Sequence, residues 1–241
     1  MSRVLVLQTG TTLPQIAARH GDFAAWFLRM AGLSRHDTDI VRVDRGEALP
    51  KPGLHAAILV TGSASMVTER EPWSERSAEW LAAVVRSAAA PVLGVCYGHQ
   101  LLAHGLGGRV DWNPRGRQIG TKPLQTTAAA PSDPLFGSAM PQFRAQTTHQ
   151  QSVVDAPAGA QVLATSALDP HQALRFGERA WGLQFHPEFS AGVMAGYIRG
   201  RRERLIAEGL DPITLLRECG PAPEARRLLR RFVRKARDGA L

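Results

Sequence analysis

Only two cysteines, Cys96 and Cys219, occur in 241 residues. That is too few for a disulfide framework, and a chain of this length buries a full core without one. Unpaired thiols fit a reducing compartment, so a cytoplasmic location is expected. No apolar run reaches the ~18 residues of a spanning helix, so no membrane role of that kind is expected. The opening Met1-Ser2-Arg3-Val4-Leu5 lacks the layout of a signal peptide. Missing too are C-x-x-C and H-E-x-x-H spacings and a G-x-x-x-x-G-K-[ST] loop, so neither a metal, a cofactor nor an ATP site is expected. Aromatic residues make up 6% of the chain, thin provision for stacking against bases. Acidic residues number 21 against 29 Lys and Arg. The excess is local: residues 199–241 hold 12 basic against 6 acidic residues, and residues 1–198 hold 17 against 15. A basic tail can dock nucleic acid or an anionic membrane, but a solvated helix face explains it more simply, and no nucleic-acid partner is expected.

What is present is an alternation of strand and helix signals. Apolar runs at Val4–Leu7, Asp39–Val43, Ala56–Thr61 and Pro91–Val95 predict buried parallel strands. Helical spacing appears between them, over His20–Ala31 (Phe23, Trp26, Phe27, Met30) and Trp73–Arg86 (Trp73, Trp80, Leu81, Val84). Such alternation predicts an α/β fold with a doubly wound, mostly parallel sheet and its site at the carboxyl ends of the strands. From Arg109 the pattern changes. Gly120–Thr126, Ala160–Thr165, Ala173–Phe176 and Trp181–Phe185 predict added antiparallel strands between Pro-rich loops. Helices are predicted over Ser190–Glu208, Pro212–Cys219 and Pro223–Arg237. The last carries Ala225, Leu228, Leu229, Phe232, Val233 and Ala236 on one stripe. Two units are expected: residues 1–198 as the α/β domain and residues 199–241 as a helical extension packed on it.

The chemistry is concentrated in two segments. Pro91-Val-Leu-Gly-Val-Cys96-Tyr97-Gly98-His99-Gln100 reads as a strand ending in a cysteine, then a turn, then a helix. This elbow exposes a nucleophile at a helix N-terminus, where the field favours the thiolate. Ninety positions later stands Gln184-Phe-His186-Pro187-Glu188. On an extended segment His186 and Glu188 share a face, so Glu188 can orient His186 while His186 serves Cys96. The three residues predict a nucleophile, a base and an orienter for acyl transfer. The elbow logic makes the Tyr97 N–H one oxyanion donor. The loop after Ala56–Thr61 supplies the other, from Gly62 or Ser63. Gly62 is assigned to the oxyanion hole and Ser63 to the substrate wall. Cys219 has no acid–base context and is read as a packing residue.

The G-V-C-x-G-H-Q elbow with a later H-P-E resembles the class I glutamine amidotransferases, most of all those similar to the glutaminase domain of GMP synthetase. The resemblance runs from Arg3–Gln8 through Thr148-His149-Gln150-Gln151-Ser152-Val153 to the helix after Glu188. It implies flavodoxin-like layering and hydrolysis of the glutamine amide through a γ-glutamyl thioester, with ammonia passed to a separate synthetase subunit. It also implies that Gln100 helps hold the substrate and that His149, Gln150 and Gln151 line its pocket. Relatives often carry an aspartate where Gln151 stands, and a Gly-Gly-Pro-like start where this chain has Thr61-Gly62-Ser63. A hydrolase of γ-glutamyl peptides or conjugates would use the same fold and triad.

Overall fold

The computed structural model describes residues 3–137 and 139–241; Met1, Ser2 and Ser138 lie outside the described residues. Four short strands form the parallel half of one sheet: β1 (Val4–Gln8), β2 (Thr38–Arg42), β3 (Ala57–Val60) and β4 (Val92–Val95). In the register of β1, Val4 pairs with Thr38 on one side and Ala57 on the other. Helices α1 (Pro14–His20), α2 (Phe23–Ala31), α3 (Pro72–Arg86) and α4 (Tyr97–Gly105) connect and flank these strands. The helical spacing predicted over His20–Ala31 is therefore interrupted. Gly21 adopts φ 81° and ends α1, and Asp22 caps α2 through Phe23 N.

The chain continues as β5 (Arg109–Trp112), β6 (Gln118–Thr126), β7 (Gln142–His149), β8 (Gln151–Asp155), β9 (Gln161–Thr165), β10 (Ala173–Gly177) and β11 (Ala180–Leu183). Among the described residues, nine strands share one sheet in the order β2-β1-β3-β4-β11-β10-β9-β6-β7; β5 and β8 pair separately. Not all the later strands are antiparallel additions. β10 and β11 form a hairpin, and the reversal leaves β11 parallel to β4, with Leu183 opposite Val95. That parallel seat carries the segment after β11 to the end of the sheet where Cys96 lies. β7 and β8 lacked a sequence signal, because polar residues such as Gln146, Thr147 and Gln151 occupy their buried positions, and β5 is four residues long with only Val110 buried.

Alternation along the strands builds two cores, one on each face. Leu5, Leu7, Ile58 and Val60 pack with Leu81, Val84, Leu101 and Leu102 of α3 and α4. Val4, Val6, Leu59, Leu93 and Val95 face the other way, toward α2 and α8 (Pro223–Arg237). The six apolar residues of the α8 stripe are all buried there, with Phe232 edge-on to Trp181 at 6.2 Å. Between β11 and α8 lie α5 (Ala191–Gly200), α6 (Arg202–Ala207) and α7 (Pro212–Glu218). The single helix predicted over Ser190–Glu208 breaks at Arg201, whose backbone (φ −112°, ψ 17°) leaves the helical range. α1, α5 and α7 enclose a third cluster around Trp26, Phe189, Met194 and Tyr197. Among the described residues no helix is long and apolar enough to cross a membrane.

Candidate active site

Cys96 is the single residue between β4 and α4, at φ 53° and ψ −102°. A non-glycine residue in such a sparsely populated region costs about 1–3 kcal/mol, so its surroundings must enforce it. They do so through two glycines. A Cβ on Gly94 would collide with Gly98 O, and one on Gly98 would meet Val60 O at 2.7 Å. Only with both side chains absent can strand and helix fold back this tightly beside β3. Cys96 N then donates to Leu183 O (2.7 Å), and Gly98 N to Thr61 O (3.1 Å), tying the elbow to both neighbouring strands.

His186 and Glu188 follow β11, but not as alternate residues of a strand. His186 makes an isolated bridge to Gln146. The next two residues turn, and Glu188 folds back to accept from His186 Nδ1 at 2.7 Å. Phe189 stacks on the imidazole, 3.9 Å between centroids, and fixes the ring plane. Cys96 and His186 meet over Gly62, where a Cβ would lie 3.1 Å from His186 Cε1 and 3.6 Å from Cys96 Cβ. Glycine is the only residue type that leaves this space open. Burial opposes the charge on His186; the Glu188 carboxylate and the Cys96 sulfur outweigh it and hold the pKa up at about 10.

A cleft opens in front of Cys96, bordered by Ser63, Tyr97, Gln100, His149, Gln150 and Gln151, together with Met66, Arg117, Thr148 and Arg201. Gly62, His186 and Glu188 are not among the residues that border it. The side chains of the polar lining are mostly engaged within the protein. Gln100 Nε2 donates to Gln151 O (2.7 Å) and Gln184 Oε1 (3.0 Å). Gln151 Nε2 reaches Thr68 Oγ1 (2.6 Å), and Gln150 Nε2 reaches Glu208 Oε1 (3.2 Å). His149 turns inward, with Nε2 3.1 Å from the buried Asp169 carboxylate. Burial alone would raise the Asp169 pKa; His149, the His171 N–H and the Ser152 hydroxyl hold it down at about 2. Tyr97 buries its ring against Trp73 and bonds Ser74 through its hydroxyl (2.6 Å). Its N–H, first in α4, enters no hydrogen bond among the described residues. Arg117, Arg201 and Asp169 had no sequence signal as site residues, because each reaches the site from a distant segment.

Residues 23–199 match the family model described as glutamine amidotransferase class-I. The chain is 34% identical over 185 residues to a glutamine-hydrolyzing GMP synthase of Thermomicrobium roseum, covering 77% of this chain and 31% of that one. It is 37% identical over 99 residues to one subunit of the glutamine-hydrolyzing GMP synthase of Halobacterium salinarum, covering 41% of this chain and 52% of that protein. It spans about a third of the length of the GMP synthases of Thermomicrobium roseum and Thermosipho melanesiensis. The fold is that of a glutamine amidotransferase of Thermotoga maritima, with a TM-score of 0.76 at 23% identity over 99% of both chains. A glutamine amidotransferase of Methylobacillus flagellatus gives a TM-score of 0.72 at 20% identity, over 100% of this chain and 96% of that one.

Proposed function

The chain belongs to the class I glutamine amidotransferases, and from that premise we propose that it hydrolyses the glutamine side-chain amide on a Cys96–His186–Glu188 triad and yields ammonia for a synthetase. The observation that carries this reading is the convergence at Gly62: a cysteine in an enforced elbow faces a histidine already oriented by a buried carboxylate at 2.7 Å. The Cys96 thiolate attacks the amide carbon, and the electron pair of the C=O bond moves to oxygen. His186, protonated, donates to the leaving nitrogen as the C–N bond breaks, and ammonia departs. His186 then takes a proton from water, whose oxygen attacks the thioester. Glutamate leaves and the Cys96 sulfur is restored. Glu188 moves no proton; it fixes the imidazole and balances its charge.

The oxyanion needs two N–H donors. Tyr97 N–H is one. For the other, the peptide between Gly62 and Ser63 is informative. The Gly62 carbonyl accepts from Thr9 Oγ1 (3.0 Å) and Thr61 Oγ1 (2.9 Å), both buried at the sheet end. A trans peptide points its N–H opposite to its C=O. The Ser63 N–H is therefore turned toward the cleft, and Ser63 rather than Gly62 completes the hole. The similarity to GMP synthases supports a synthetase as the acceptor of the ammonia.

The test is a substrate panel on the purified chain, with and without a candidate synthetase: glutamine, γ-glutamyl dipeptides and a γ-glutamyl chromogen. Glutamine turnover is expected, with one label from a glutamine-like electrophile on Cys96 and none on Cys219. Turnover confined to γ-glutamyl peptides would transfer the triad to a peptide hydrolase. Equal labelling of both thiols would remove Cys96 as nucleophile.

A further inference from the structure

Two arginines border the cleft that holds Cys96, and their circumstances differ. Arg117 is locked in a two-point pair with Glu208, Nε to Oε2 at 2.6 Å and Nη2 to Oε1 at 3.0 Å. Glu208 also receives Arg204 Nε at 3.1 Å and Gln150 Nε2 at 3.2 Å, so its oxygens are fully used. Arg201 has no carboxylate within 4.0 Å among the described residues. Its guanidinium lies over the Tyr197 ring at 4.8 Å, and Nη1 donates to Thr148 Oγ1 at 2.5 Å. Arg117 and Arg204 thus share one carboxylate and Arg201 has none, which leaves an excess of two positive charges among the three arginines.

A part-buried cation without a counter-ion is expensive. Its desolvation is not repaid by neutral donors and a ring face alone. The burial that opposes the charge on Arg201 is reinforced by Arg117 and Arg204, and relieved by the Cys96 sulfur. No nitrogen of Arg201 is both buried and unpartnered, so those without a protein partner reach solvent, on a residue that borders the cleft. Of the neutral amides around it, Gln100 has spent both N–H groups on the protein, and Gln150 and Gln151 one each. Of the two arginines that border the cleft, Arg117 is neutralised by Glu208, and Arg201 keeps an unpaired charge with donors for an anion.

We propose that Arg201 binds the α-carboxylate of the substrate, and that the enzyme accepts γ-glutamyl compounds only when that carboxylate is free. The subsite rests on the glutaminase reading for the identity of its ligand. Arg201 closes α5 one turn after Tyr197, so its guanidinium lies over that ring and the residue borders the cleft. A planar guanidinium matches a carboxylate in a two-point geometry that lysine cannot reproduce.

The experiment compares L-glutamine with L-glutamine α-amide, which lacks only the carboxylate charge, on the wild type, Arg201→Met and Arg201→Lys. The wild type should prefer glutamine in kcat/KM by about a hundredfold or more, the loss usual when one side of a desolvated charge pair is removed. Arg201→Met should raise the glutamine KM by about the same factor, change kcat less than about fivefold, and leave the α-amide value near that of the wild type. Arg201→Lys should fall between. A merely structural arginine would penalise both substrates alike. The same pair of ligands is titrated calorimetrically into Cys96→Ala chains with and without Arg201→Met, which reads binding without turnover. Glutamine binding lost only with Arg201→Met supports the subsite even if no substrate is hydrolysed, in which case the glutaminase reading alone falls. Equal use of glutamine and its α-amide by an active wild type overturns the subsite and leaves the glutaminase reading intact. Should Arg201→Met not fold, the wild-type preference between the two ligands decides.

Discussion

At Cys96 the backbone, not the side chain, is the unusual feature. Its φ of 53° is enforced by close contacts at Gly94 and Gly98, and the strain positions one sulfur at the mouth of a cleft. His186 is held as firmly, between the Phe189 ring and the Glu188 carboxylate. The roles proposed for the two differ in kind, so their losses should differ in size. His186→Ala removes both proton transfers and should approach Cys96→Ala in severity. Glu188→Gln keeps a side chain of the same shape and should retain more activity than His186→Ala. Steady-state kinetics on folded variants checks the order; a harsher Glu188→Gln would mean the roles are misassigned. The Gly62–Ser63 peptide offers a second residue-scale test. Thr9→Val combined with Thr61→Val removes both hydroxyls that hold the Gly62 carbonyl. The Ser63 N–H then loses its fixed aim, and kcat should fall about ten- to a hundredfold with KM little changed. An unaltered kcat would return the second donor to Gly62.

Helices and strands show where pattern is sufficient and where it is not. α8 is the clearest case of sufficiency. Its stripe of Ala225, Leu228, Leu229, Phe232, Val233 and Ala236 is buried against the sheet, while Arg226 and Arg234 stay exposed. Burying a Phe or Leu side chain contributes about 1.5–3 kcal/mol. Phe232→Asp should therefore lower the melting temperature of the whole chain, because Phe232 packs on Trp181 of β11 as well as within α8. Arg226→Ala with Arg234→Ala should barely move it. Calorimetric melting of both variants, run beside a nucleic-acid retention assay, is the check. A melting temperature indifferent to Phe232→Asp, with retention lost in the arginine variant, would make the basic face a binding surface instead.

On the scale of the molecule, one buried histidine couples the fold to pH. His99 lies on α4 in full burial, against Phe176 and the backbone of Gly182. Burial drives its pKa down to about 3, an effect that the nearby Asp169 carboxylate only partly offsets. The folded value lies below that of a free imidazole, so the folded state binds fewer protons than the unfolded state between the two values. The contribution of His99 is complete above pH ~6.5 and is lost as the pH falls toward 3. The slope reaches about 1.4 kcal/mol per pH unit. Asp169, held at about 2, adds its own loss only below the ordinary carboxylate range. Stability measured by denaturant between pH 7 and pH 4 should thus fall in the wild type and fall far less in His99→Leu. Parallel curves for the two proteins would relocate the acid limb to other groups.

The sequence alone determined the parallel half of the sheet, the α8 stripe and the elbow, because each rests on local information. Strand runs, a helical period and a glycine-spaced turn are written within a few neighbouring residues. It also carried the Cys96, His186 and Glu188 pairing of residue types, though through a strand geometry that the turn after His186 replaces. Tertiary structure decided the rest. The polar faces of β7 and β8 are buried by partners far along the chain, so no apolar period announced them. The parallel seat of β11 followed from its hairpin with β10. Arg201 became part of the cleft only when the fold set the end of α5, where it lies over Tyr197, beside a cysteine more than a hundred residues earlier. A charge without a counter-ion is invisible in a sequence, because whether it is paired depends on which distant carboxylates the fold brings within reach.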